Sequence, residues 1–221
     1  MLYKTIITPF TFLIAPQKIF KNLKSKPQWV APCIVVVLGL IVKAMLSNSW
    51  GNQSLIYQAQ SLYLNGIMAT LLVVFLWSAI SIFLYLSIFL MSANNGVAYK
   101  IVFSIVSYCG VIILLGEISN YLLIRANIIN SMFYLLPQRF PIGLDLLVVD
   151  TSPHPALAVF LHSINPFSIW YFTILSVGIS IVTDLGKTKA STLSFILWFI
   201  AVGFAISVLL ITGETSLRFK F

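Results

Sequence analysis

Residues 67–92 read IMATLLVVFLWSAISIFLYLSIFLMS, and this stretch contains no Asp, Glu, Lys, Arg or His. Its apolar residues do not alternate with polar ones; Leu71-Leu72-Val73-Val74-Phe75-Leu76 is continuous. A membrane β-barrel strand would need alternation over ~10 residues, so a barrel is excluded. A helix, by contrast, bonds every backbone group within itself and is stable in hydrocarbon. The hydrocarbon layer is ~30 Å thick and each helical residue rises ~1.5 Å, so ~20 apolar residues cross it. The segment is therefore read as a transmembrane helix. The same pattern extends outward, because no residue of those five ionisable types lies between Lys43 and Lys100.

The whole chain agrees with this window. Of 221 residues, 60% are hydrophobic and 8% charged, against ~25% charged in soluble domains, and the mean hydropathy is +1.02. Water would not hold such a surface in solution, which excludes a cytosolic enzyme. Two cysteines, Cys33 and Cys109, each inside an apolar run, exclude a disulfide scaffold. Four more stretches have the composition of a span: about 32–47, short and with Lys43 near enough to its end to snorkel, 99–123, 167–183 and 190–212. Pro9 and Pro16 interrupt the leading apolar stretch and the lysines follow it, so no cleaved signal is expected. The fold class expected is an all-α integral membrane protein, a five-transmembrane-helix bundle. Eight Lys and Arg residues fall on the side of the leading segment and four on the other, with Lys43 inside a span. The positive-inside rule then puts the N-terminus in the cytoplasm and the C-terminus outside.

Two parts lie outside the spans. Residues 1–31 form a cytoplasmic interfacial segment ahead of the five-helix region 32–221. Within it, Pro16 opens a short amphipathic helix. Ile19, Phe20 and Leu23 share one face, Lys18, Lys21 and Lys24 face away, and Trp29 follows at interface depth. Such a helix anchors to anionic headgroups; the alternative is a docking face for a cytosolic partner. The outer loop 125–165 carries the apolar pieces 132–136 and 156–161, broken by Pro137, Pro141, Pro153 and Pro155, and is expected to fold back as a lid or short interfacial helices.

Chemistry is sparse. Asp145, Asp150, His154 and His162 share the outer loop, but their spacing fits no compact ligand motif, so no metal is expected. No Gly-x-Ser-x-Gly elbow, His-Glu-x-x-His pair or Gly-rich phosphate loop occurs. Apolar surroundings disfavour a reactive thiolate at either cysteine. No catalytic residue, cofactor or nucleic-acid partner is expected. Glu117 is the one acidic residue within a span. It shares a helical face with Asn120 and Tyr121, two turns after Gly110 and two before Arg125. A carboxylate there costs ~2.5–3.5 kcal/mol on insertion scales. It is read either as a proton or cation site or as a boundary carboxylate in outer water. Ser78, Ser81, Tyr85 and Ser92 form a stripe, and Ser176 with Ser180 and Gly203 with Ser207 are small residues four apart. Such positions allow close helix approach, within the bundle or to a partner. No internal repeat divides the spans into halves, so a transport pathway through one chain is not expected.

Several motifs carry a family resemblance. Pro16-x-x-x-Phe20 is followed by Lys26-Pro27-x-Trp29-x-x-Pro32; Asn95-Gly96-x-x-Tyr99-Lys100 lies between the second and third spans. Asn165-Pro166-Phe167-Ser168-x-Trp170 precedes Gly178-Ile179-Ser180 and Lys187-Thr188-Lys189-Ala190. In order and spacing these resemble the Yip (Ypt-interacting protein) membrane domain family, bacterial branch, and they single out Trp170 as a candidate interaction site. The resemblance implies five spans and no catalytic residues. It also implies partners among other integral membrane proteins, ABC-type transporter subunits or further copies of the chain, in a bacterial inner membrane. The resulting expectation is a non-catalytic accessory or scaffold subunit docking laterally on a larger complex, most plainly an ABC-type exporter. The alternative is a lipid- or ion-handling protein with a cavity near Glu117 and the outer loop.

Overall fold

Apolar helices without internal proline have no reason to stop inside a membrane, and the computed structural model shows long ones. It describes residues 11–37, 39, 55–91, 97–125, 143–144, 155–183 and 185–216, and contains no strand among them. In chain order the helices are α1 (Pro16–Ser25), α2 (Leu55–Met91), α3 (Tyr99–Arg125), α4 (Pro155–Ser163), α5 (Pro166–Val182) and α6 (Lys187–Ser216). Residues 11–14 and 30–37 are also helical.

Three helices among the described residues are long and apolar enough to cross a bilayer, through Val74–Met91, Tyr99–Gly116 and Lys187–Ser207. They coincide with the second, third and fifth expected spans. The fourth appears as α5, whose 17 residues reach ~25 Å, short of a ~30 Å core. The first begins as helix at 30–37, and its remainder lies outside the described residues. α2 is 37 residues long because the mixed stretch 55–66 ahead of the apolar window contains no proline and continues the helix. The outer-loop piece 156–161 folds as α4; the piece 132–136 lies outside the described residues.

α3 is the central helix. Of its window Tyr99–Gly116, 67% is buried in the protein, against 22% for Val74–Met91 and 28% for Lys187–Ser207. Ile105, Val106, Tyr108, Cys109 and Ile112 are fully buried, and α5 packs along the same helix with Leu175 and Ile179. The bundle is wrapped in apolar side chains: on α2, Phe75 is 68% and Leu90 82% exposed; on α6, Phe204 is 67% exposed. A surface of that size and kind is covered by lipid or by other apolar protein.

Contacts fix the relative directions. Tyr85 meets Tyr99 edge-on at 6.0 Å and Trp77 lies over Gly110, so α2 and α3 are antiparallel. Trp29 meets Phe103 at 5.7 Å and Gly39 faces Leu114, so the chain from Trp29 to Gly39 runs in the same sense as α3. Ser176, late in α5, bonds Ser191, early in α6, at 2.9 Å, and Phe160 of α4, ahead of α5, meets Trp198 further along α6 at 6.0 Å, so α6 runs back along α5. Hydroxyls inside these helices bond back to the preceding turn, as Ser78 to the Val74 carbonyl at 2.8 Å and Ser87 to that of Phe83 at 2.8 Å. Their polar groups are thereby satisfied without water.

The amphipathic helix α1 forms where the sequence places it, with Pro16 in its first turn and Lys26 N–H bonded to the Asn22 carbonyl at 2.9 Å. Its apolar face meets protein: α1 packs on α5 and α3, leaving Phe20 0%, Leu23 2% and Ile19 9% exposed. Lys18, Lys21 and Lys24 are exposed. The expected cover for that face was headgroup lipid; within the fold it is the bundle itself.

Candidate functional site

A cleft of about 970 Å³ lies between α5 and α6, bordered at one end by α1 and at the other by α4. It is built by two devices of local sequence. At the α4 end, Asn165 caps α5: its Oδ1 accepts from Ser168 N–H at 2.8 Å and its Nδ2 donates to the His162 carbonyl at 3.0 Å. One buried side chain thus satisfies an orphan amide of α5 and ties α4 to it. Pro166, lacking an N–H, suits the first helical position. At the other end Thr183 closes α5, its N–H and hydroxyl both reaching the Ile179 carbonyl at 3.0 and 2.6 Å, and α6 turns back three residues later.

Gly178 lets α1 approach. A Cβ there would lie 2.8 Å from Ile105 Cγ2 and 2.9 Å from the Phe20 ring, so glycine lets α1, α3 and α5 meet without displacing either side chain. Phe12 completes this contact with Phe20 at 5.5 Å and Tyr108 at 5.3 Å. As a result Gln17 and Lys21 of α1 reach the cleft beside Lys187, the first residue of α6. Since Phe20 packs at Gly178 and Ser176 pairs with Ser191, both lysines stand at the same level, near Ser180. The bore beyond is walled by Phe172, Phe195, Trp198 and Phe199 and dotted with hydroxyls of Thr173, Ser176 and Ser191. Ser194 on the wall is 2% exposed and its hydroxyl has no hydrogen-bond partner among the described residues. A second hollow of about 420 Å³ lies under α1, lined by Asn22, Lys26, Gln28 and Tyr108.

The residues singled out from the sequence are dispersed. Ser81 is fully buried and bonds the Trp77 carbonyl at 2.6 Å; Ser78 and Tyr85 are half-buried. This stripe lies on α2, which packs against α3, whereas Ser92 is outside the described residues. Ser176 serves the α5–α6 seam. Gly203 faces open space and Ser207 is exposed. Trp170 is half-buried against the core. Glu117 and Asn120 fall within α3, and their side chains lie outside the described residues. Of the four loop residues weighed for metal, only His162 is described, at the end of α4; Asp145, Asp150 and His154 lie outside. The pairing of Lys21 with Lys187 had no signal in the sequence, where each read only as a cytoplasmic-side charge.

Comparison with known proteins bears on the same helices. No curated protein and no solved structure matches the chain. The family model of the Yip1 domain matches residues 10–209, from ahead of α1 to late in α6, and so takes in the capped α5, Gly178 and the central α3. The described residues form an apolar helical bundle, and the match covers nearly the whole chain: the chain is a membrane protein belonging to the Yip1 domain family.

Proposed function

We propose that this protein is a non-catalytic accessory subunit of a bacterial inner membrane, docking laterally on a larger membrane complex, most plainly an ABC-type exporter. In this reading the chain crosses five times, with α5 and the segment from residue 30 as the shorter crossings. The N-terminus is cytoplasmic and the C-terminus outside, and Lys18, Lys21, Lys24 and Trp29 steady α1 at the cytoplasmic interface.

The observation that supports docking is the outer part of α6. Gly203 and Ser207 are a small pair one turn apart, a Cβ on Gly203 would meet nothing within 4 Å, and Phe204 between them is 67% exposed. Lipid tails are as apolar as any side chain, so helices associate in a bilayer through close packing at small residues. Here α6 keeps such a notch clear of its own bundle, unlike Gly110 and Gly178, which are filled by Trp77 and Phe20. Purification in mild detergent should recover membrane partners in stoichiometric amounts, and Gly203→Leu should abolish that recovery without altering thermal stability. Clean monomer from several detergents, or unchanged recovery with Gly203→Leu, would refute the docking face.

A further inference from the structure

We propose that the α5–α6 cleft is a binding site for a single anionic phospholipid, its phosphate held by Lys21 and Lys187 and one acyl chain lying along Phe172, Phe195 and Trp198. The site is separate from the outer α6 notch, so it stands or falls independently of the docking role.

Three observations lead there. First, charge: Lys21 and Lys187 line one end of the cleft, and among the described residues no carboxylate lines it. Two cations at one mouth are complementary to an anion, and long lysine stems place their heads at headgroup depth. Second, length: Lys187 to Phe199 spans twelve helical rises, ~18 Å, against ~15 Å for half of the hydrocarbon core. The cleft is thus long enough to take the acyl chain of one leaflet from its cationic end. Third, lining: beyond the lysines the wall is aromatic and aliphatic, and the hydroxyls of Thr173 and Ser180 already bond their own helix, to Ile169 and Val177 carbonyls at 2.7 and 2.9 Å. A hydrocarbon chain therefore leaves these two hydroxyls their partners. A partner helix seated in the same cleft would have to bring acidic side chains to the level of two lysines, whereas a phospholipid carries its charge there by construction.

The full-length protein in detergent, mixed with dioleoyl phosphatidylglycerol or dioleoyl phosphatidylcholine, can be followed by native mass spectrometry. Phosphatidylglycerol should be retained over phosphatidylcholine, and Lys21→Gln with Lys187→Gln should weaken its apparent affinity about thirtyfold. Lys18→Gln with Lys189→Gln removes the same charge from exposed positions of the same two helices outside the cleft, and should leave affinity unchanged. Glycerol phosphate should not displace the lipid. Equal retention of both lipids, equal loss in the two double variants, or displacement by glycerol phosphate would each overturn the proposal.

Discussion

Gly110 and Gly203 are the same residue in apolar helices, yet their neighbourhoods differ completely. A Cβ on Gly110 would collide with the Trp77 indole, whereas one on Gly203 would find open space. Overpacking a filled site costs ~1–3 kcal/mol, and an open position within ~0.5 kcal/mol. Thermal unfolding in mild detergent should therefore show Gly110→Leu clearly destabilised and Gly203→Leu close to the parent protein. Equal behaviour would mean that α2 does not seat Trp77 on α3. At this scale the sequence was half legible. Asn165-Pro166 announces a helix start, and its cap is made as the residue types imply. Nothing local, however, distinguishes a glycine that receives a ring from one that faces open space.

Among the elements, α1 carries the most information. Its period was plain in the sequence, with Ile19, Phe20 and Leu23 on one face and three lysines on the other. Periodicity states that a face is apolar, and lipid and protein satisfy that demand equally well. The fold resolves it, because Gly178 leaves room for the Phe20 ring between α3 and α5. Truncating a buried aromatic typically costs ~3 kcal/mol. Phe20→Ala should thus lower the unfolding temperature markedly, and Lys18→Ala should barely move it. If Phe20→Ala instead only reduced membrane-surface affinity, the helix would be an interfacial anchor detached from the bundle. The sequence also understated lengths: hydropathy counted the apolar part of α2, but a helix continues through any residues that neither break it nor need another partner.

For the whole molecule, the antiparallel pairs α2–α3 and α5–α6, and the shared direction of α3 and the chain from Trp29, agree with a chain that reverses at each crossing. The distribution of basic residues predicts a cytoplasmic N-terminus. A cysteine introduced at Lys24 should react with impermeant reagent only in inverted vesicles, and a tag after Phe221 should be reached only from the opposite side. Labelling of both from one face would remove the odd number of crossings. Composition alone decided that this protein lives in a bilayer as helices, because hydrocarbon offers no partner to an unpaired backbone group, so apolar run length leaves one solution. Only the tertiary structure decided that α3 lies at the centre, that α1 folds onto the bundle, and that Lys21 and Lys187 share one cleft. Those are contacts between residues far apart in the chain, chosen by shape and close packing among faces that are equally apolar, and an apolar pattern carries no record of which face meets which.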